Sequence, residues 1–139
     1  ELPESSLDST ALTPQSTYGT KKAMCELLIN DYSRKGFVDG IVVRLPTICI
    51  RPGKPNKAAS SFVSSIMREP LHGEDAVCPV SEELRLWLSS PNTVVANFIH
   101  ALQLPSLPLR SWHTINLPGF SITVRQMLSD LTQVKGEAI

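Results

Sequence analysis

The run Ile41-Val42-Val43 constrains the fold most. Three consecutive β-branched residues suit a strand buried on both faces, because a half-exposed strand would alternate apolar with polar. Pro46 cannot donate to a ladder and should end regular pairing just beyond the run. A helix is expected upstream of it. Thr13 can cap and Pro14 suits a first turn. Gly36 is a fitting stop, preceded by Arg34 and Lys35, which suit the negative end of the helix dipole. A helix, a short link and a doubly buried strand make half of a βαβ unit, so the chain reads as α/β.

The helix has an unusual girth. At about 100° per residue, Ala23, Met24, Cys25, Leu27, Leu28, Ile29 and Tyr32 cover well over half its circumference. A helix resting on one core needs a narrower stripe. Two-sided packing is expected, against a sheet and against something else. Lys22, Glu26 and Asn30 form a polar stripe at i, i+4 spacing, with Tyr18 at its N-terminal edge.

Further along, a basic Pro/Gly loop over residues 51–62 leads into a helix expected at about residues 58–68. Short extended stretches are expected at 76–80, 85–88 and 112–117. Ser90 with Pro91 reads as a cap and first position of a helix. Thr123 with Gln126 three residues on reads as a capping box, opening a helix that reaches about residue 135.

Composition narrows the function classes. The 139 residues, 42% of them hydrophobic, suffice for one real core. Thirteen basic residues balance thirteen acidic ones, which is no footprint for nucleic acid or an acidic membrane. No apolar run approaches the roughly 18 residues of a membrane span, and no signal peptide is evident. Cys25, Cys49 and Cys78 read as reduced thiols of a cytoplasmic protein. His72, His100 and His113 are scattered, so no metal site is expected. The chain opens on Glu1 and a polar, Pro-containing segment, and reads like the middle of a larger protein.

Tyr18 and Lys22 carry the chemistry of interest. A free phenol, with a pKa near 10, is a poor base at neutral pH. A neighbouring ammonium favours the phenolate, which can then remove or return a proton at a substrate hydroxyl or carbonyl. Spacing alone leaves open an ordinary surface pair, including an exposed Lys22–Glu26 contact. The context favours chemistry: the pair sits at the front of a helix feeding a buried strand, which breaks at Pro46-Thr47, where open α/β sheets place ligands.

The stretches "STYGTKKAMCELL" and "GIVVRLPTICIRPG", followed by "RLWLSSPNTVVANFIHAL", resemble the extended short-chain dehydrogenase/reductase family of the epimerase/dehydratase type. The resemblance runs from about Thr13 to the end. It implies the C-terminal part of a doubly wound Rossmann-type fold, with catalytic helix and core parallel strand, plus a small mixed α/β substrate region. Residues 1–50 would belong to the dinucleotide-binding domain and residues 51–139 to the substrate-binding region interleaved with it. By the resemblance Tyr18 is the acid/base. Lys22 lowers its pKa and holds the nicotinamide ribose of NAD, with NADP not excluded. Pro46, Thr47 and Ile48 line the nicotinamide side, and Thr47, Arg51 and Arg85 meet substrate. The wording looks nearest a branch that oxidises a small four-carbon sugar acid, whose carboxylate Arg51, Lys54, Lys57 or Arg85 could meet. A homodimer through the helix from Tyr18 to Lys35 is implied as well.

Departures from the family pattern are also legible. The Gly-rich phosphate loop and the acidic ribose reader are absent from these residues. The Ser or Thr that assists the tyrosine is expected before Glu1, and the 139 residues alone are expected to be inactive. "SSPN" replaces the acidic residues usual in nucleotide-sugar relatives. Two alternatives stay open: a nucleotide-sugar epimerase or dehydratase, and a non-catalytic regulator that binds dinucleotide. Arg85 could equally stack on Trp87. His113 reads as an ordinary strand residue, and Asn116 as a turn residue.

Overall fold

The computed structural model describes residues 7–53, 58–104 and 113–135. In chain order they form α1 (Thr17–Arg34), β1 (Val42–Arg44), β2 (Thr47–Ile48), α2 (Phe62–Leu71), β3 (Arg85–Ser89), α3 (Pro91–Gln103), β4 (Thr114–Asn116), β5 (Phe120–Thr123) and α4 (Val124–Lys135). A 3-10 turn over Ala59–Ser61 precedes α2. Two compact units result: Glu1–Leu45 with Asn97–Leu117, and Pro46–Ala96 with Pro118–Ile139.

In the first unit α1 starts later than Thr13-Pro14 suggested. Ser16, in extended conformation, is the cap, and its Oγ accepts the Gly19 N–H at 3.0 Å. Pro14 lies beside this first turn: a Cβ added to Gly19 would stand 3.1 Å from Pro14 Cβ. The C-terminus ends as expected at Gly36, whose φ is +75°. The Gly36 N–H bonds Ser33 O and the Phe37 N–H bonds Tyr32 O, which makes a Schellman motif. Its usual apolar contact is an edge-on meeting of Tyr32 with Phe37, ring centroids 5.7 Å apart.

β1 pairs in parallel with β4, placing Val42 opposite Thr114 and Arg44 opposite Asn116. Val42 and Val43 are half-buried rather than buried on both faces. Among the described residues only β4 pairs with β1, so its other edge has no strand. The strand expected at 112–117 is β4; Trp112 lies outside the described residues.

In the second unit β2 runs parallel to β3, and β3 runs antiparallel to β5. Pro46 therefore does end one pairing, since the chain joins a different sheet at Thr47. Val63, Ile66, Leu88, Val124 and Met127 form the core between α2, β3 and α4. Each such side chain contributes about 1.5–3 kcal/mol when fully buried. The caps read from the sequence form as expected. Ser90 Oγ accepts the Thr93 N–H at 3.1 Å. Thr123 and Gln126 bond reciprocally, at 3.0 Å and 3.2 Å.

Two expectations need correction. Residues 76–80 make no strand. Cys78 and Val80 pack against the core as isolated apolar groups, and Pro79 withholds a ladder donor. β5 was not foreseen, although Phe120 and Ile122 alternate with Ser121 and Thr123. Its entry depends on Gly119, where a Cβ would stand 2.6 Å from both Leu88 O and Trp87 Nε1.

Cys49 packs against the same core, and burial pushes its thiol pKa up. Cys25 is exposed.

Two outcomes are expected. Gly119→Ala overpacks the contact of the residue before β5 with β3 and lowers stability by about 1–3 kcal/mol in a urea titration. Near pH 8, iodoacetamide spares Cys49 in the folded protein and labels it once urea unfolds the chain, read by peptide mass. Because the folded Cys49 pKa lies above its unfolded value, the stability it contributes is present below that unfolded value. It is lost as the pH rises through the folded one.

Candidate active site

The helix that carries Tyr18 and Lys22 turns its polar stripe, not its apolar girth, toward the sheet. Glu26 and Asn30 are 6% and 4% exposed, whereas Leu27 and Leu28 are 57% and 56% exposed. Leu27, Leu28 and their apolar neighbours lie on a face that, among the described residues, remains open.

Each buried polar group is satisfied by a strand. Arg44, the last residue of β1, donates Nε to Glu26 Oε2 at 3.0 Å and Nη2 to Glu26 Oε1 at 2.5 Å. Asn30 donates to Thr114 Oγ1 at 2.9 Å and accepts the His113 N–H at 2.6 Å. Glu26 is therefore not the exposed partner of Lys22 that spacing alone allowed. Arg44 also reaches Asp8 O at 3.3 Å, and Asp8 Oδ1 accepts the Asn116 N–H at 2.6 Å. Leu117 N–H closes the corner on Arg44 O at 2.9 Å.

These contacts locate the exposed half of the stripe. From Asn30 to Glu26 the helix rises about 6 Å. Thr114 stands level with Val42, and Arg44 lies two residues on, close to 7 Å along the strand. Helix and strand rungs thus match. Continuing the stripe, Lys22 lies about 6 Å and Tyr18 about 12 Å beyond Glu26. Both therefore extend past Arg44 and Asn116, at the carboxyl end of a parallel pair, where open α/β sheets bind ligands. Tyr18 is 72% exposed, and Lys22 is exposed one turn on. Neither has a hydrogen-bond or ion-pair partner among the described residues.

The other sequence-derived candidates lie in the second unit. Pro46 is buried, while Thr47 and Ile48 form β2 beside Leu88 and Ser89. Arg51 is held by its backbone: its N–H bonds Ser64 Oγ at 3.0 Å, and its carbonyl accepts Arg68 Nη1 at 2.6 Å. Arg85 opens β3 opposite Thr123, exposed and without a polar partner among the described residues. Lys54 and Lys57 lie outside the described residues. His113 serves through its backbone, and so does Asn116. Two open grooves of about 490 and 380 Å³, lined from residues 58–61, α2, α4 and residues 73–79, contain none of these candidates.

Sequence reasoning missed the Glu26–Arg44 and Asn30–Thr114 anchors. A signal was present: a charged residue, Arg44, closes an apolar strand run, and two helix residues of matching chemistry stand one turn apart.

No family model matches the chain. Over all 139 residues it is 96% identical to a D-erythronate dehydrogenase of Haemophilus influenzae, covering 44% of that protein. It is 53% identical to a D-erythronate dehydrogenase of Cupriavidus necator, again over its full length and 43% of the relative. In structure it superposes, with a TM-score of 0.91 and 50% identity, on a nucleoside-diphosphate-sugar epimerase from Agrobacterium tumefaciens. That match covers 99% of this chain and 40% of the other. The chain thus spans less than half the length of the curated relatives it matches. By sequence it is similar to part of the D-erythronate dehydrogenases, and by fold it is mixed α/β with the parallel strands of the Rossmann-type epimerases and dehydrogenases.

Proposed function

We propose that the intact protein is a cytoplasmic, NAD-dependent dehydrogenase that oxidises a hydroxyl of a small anionic sugar acid of the D-erythronate type. The observation that carries this reading is the 96% identity to a D-erythronate dehydrogenase over every residue of the chain. The exposed Tyr18–Lys22 end of the α1 stripe supplies the matching chemistry.

Tyr18 Oη takes the proton of the substrate hydroxyl, so the O–H bond breaks as the carbonyl forms. Lys22 stabilises negative charge on that oxygen and bonds the nicotinamide ribose. NAD, when held beside Lys22, would supply the acceptor for the hydride that leaves the carbinol carbon. The fit rests on an exposed ammonium and phenol without partners at the carboxyl end of parallel strands. Pro46, Thr47 and Ile48 line the nicotinamide side. No Gly-rich loop is present among the 139 residues, so the pyrophosphate is held by residues outside them. Arg51 and Arg85 would meet the substrate carboxylate, and Thr47 would also contact the substrate. The open apolar face of α1, with Met24, Leu27 and Leu28 more than half exposed, supports a homodimer through that helix.

A second reading, a nucleotide-sugar epimerase, is favoured by the 50% identity to the Agrobacterium structure. Arg85 would then grip a substrate phosphate. A thermal-shift screen separates the two: four-carbon sugar acids protect the dehydrogenase, and diphosphate sugars protect the epimerase.

Tyr18→Phe in the intact protein is expected to lower kcat by about 100-fold or more while leaving the Kd for NAD within twofold, by stopped-flow absorbance and calorimetry. Wild-type turnover would exclude the role. The isolated 139-residue chain is expected to bind no NAD by calorimetry, and micromolar affinity would contradict the assignment of the pyrophosphate site.

A further inference from the structure

We propose that Glu26 and Arg44 are positioning residues for the reaction: their buried ion pair fixes how far α1 slides along β1 and β4, and so where Tyr18 and Lys22 stand. The inference rests on the dehydrogenase reading above.

Three observations carry it. First, the pair is largely withdrawn from solvent, with side-chain exposures of 18% for Arg44 and 7% for Glu26. A buried ion pair is a weak route to stability, since apolar residues of similar volume often do as well. What it adds is direction. The two parallel bonds from Arg44 to Glu26 form a fork that tolerates little axial slip.

Second, the pair is one of two matched rungs. Asn30 bonds Thr114 and the His113 N–H, and Glu26 bonds Arg44 one helical turn on. Two rungs fix both slide and rotation of a helix, whereas an apolar contact would fix neither. The free rungs of the same stripe are Lys22 and Tyr18.

Third, the corner at Arg44 is tied to the mouth itself. Arg44 N–H groups bind Glu26 and the Asp8 carbonyl, the Asp8 carboxylate holds the Asn116 N–H, and Leu117 N–H bonds Arg44 O. The Arg44 side chain thus holds α1 and the Asp8 segment, while the end of β4 is held by the Asp8 carboxylate and the Arg44 carbonyl. One residue of slip along a helix is about 1.5 Å, and a displacement near 1 Å can cost about 100-fold in rate.

The test compares Arg44→Lys, Glu26→Gln and the apolar double variant Glu26→Leu/Arg44→Met in the intact protein. Wild type and Tyr18→Phe run in parallel. In every variant that folds, kcat is expected to fall about 10- to 100-fold, with KM for NAD and for substrate within twofold. The double variant is expected to keep its Tm within a few degrees, which separates position from stability. Arg44→Lys, which retains the charge and loses the fork, serves if the other variants do not fold. Wild-type kcat in a folded variant would overturn the inference. If Tyr18→Phe alone is dead, only the positioning claim falls with that result. If Tyr18→Phe also turns over normally, the dehydrogenase reading fails instead.

Discussion

A carboxylate and a guanidinium buried under one helix organise the first unit. Glu26 is too buried to be left unpaired, because an uncompensated buried charge costs about 3–5 kcal/mol, and the half-buried Arg44 supplies its partner. Their pairing requires α1 to lie across the end of β1. Asn30 adds the same demand one turn further, at the start of β4. Helix, two parallel strands and the Asp8 segment converge on Arg44.

This arrangement inverts ordinary amphipathicity. A surface helix usually buries its apolar stripe and exposes its polar one. Here the polar stripe meets the strands, and Met24, Leu27, Leu28 and Tyr32 are left about half exposed. An apolar face of that width is the kind that a further surface covers. The polar stripe continues past the strands into open space, where a phenol and an ammonium stand at the carboxyl end of a parallel pair. Anchor and proposed chemistry are thus one line of residues at i, i+4 spacing, divided by the end of β1.

Much of this was legible. Gly36, Ser90-Pro91 and Thr123-Gln126 marked helix ends because caps act through local bonds that a few neighbouring residues specify. The spacing of Tyr18 and Lys22 places them on one stripe of α1, and their chemical role is a proposal that the spacing alone does not decide. The helix start was misplaced because Thr13-Pro14 and Ser16 both satisfy local capping rules, and only the fold selects Ser16. Residues 76–80 failed as a strand because apolarity there serves packing, with no ladder partner. β1 looked doubly buried because a β-branched run reports a preference for burial, not the number of neighbouring strands. Glu26 was read as surface for a similar reason: its partner lies 18 residues away, and only tertiary structure brings Arg44 under it.

The most direct measurement is a double-mutant cycle on the stability of the intact protein, using Glu26→Gln, Arg44→Met and their combination in urea. If one shared ion pair holds α1 to the strands, the two substitutions couple by about 1–3 kcal/mol. Additivity to within about 0.5 kcal/mol would show that the helix is held by something else.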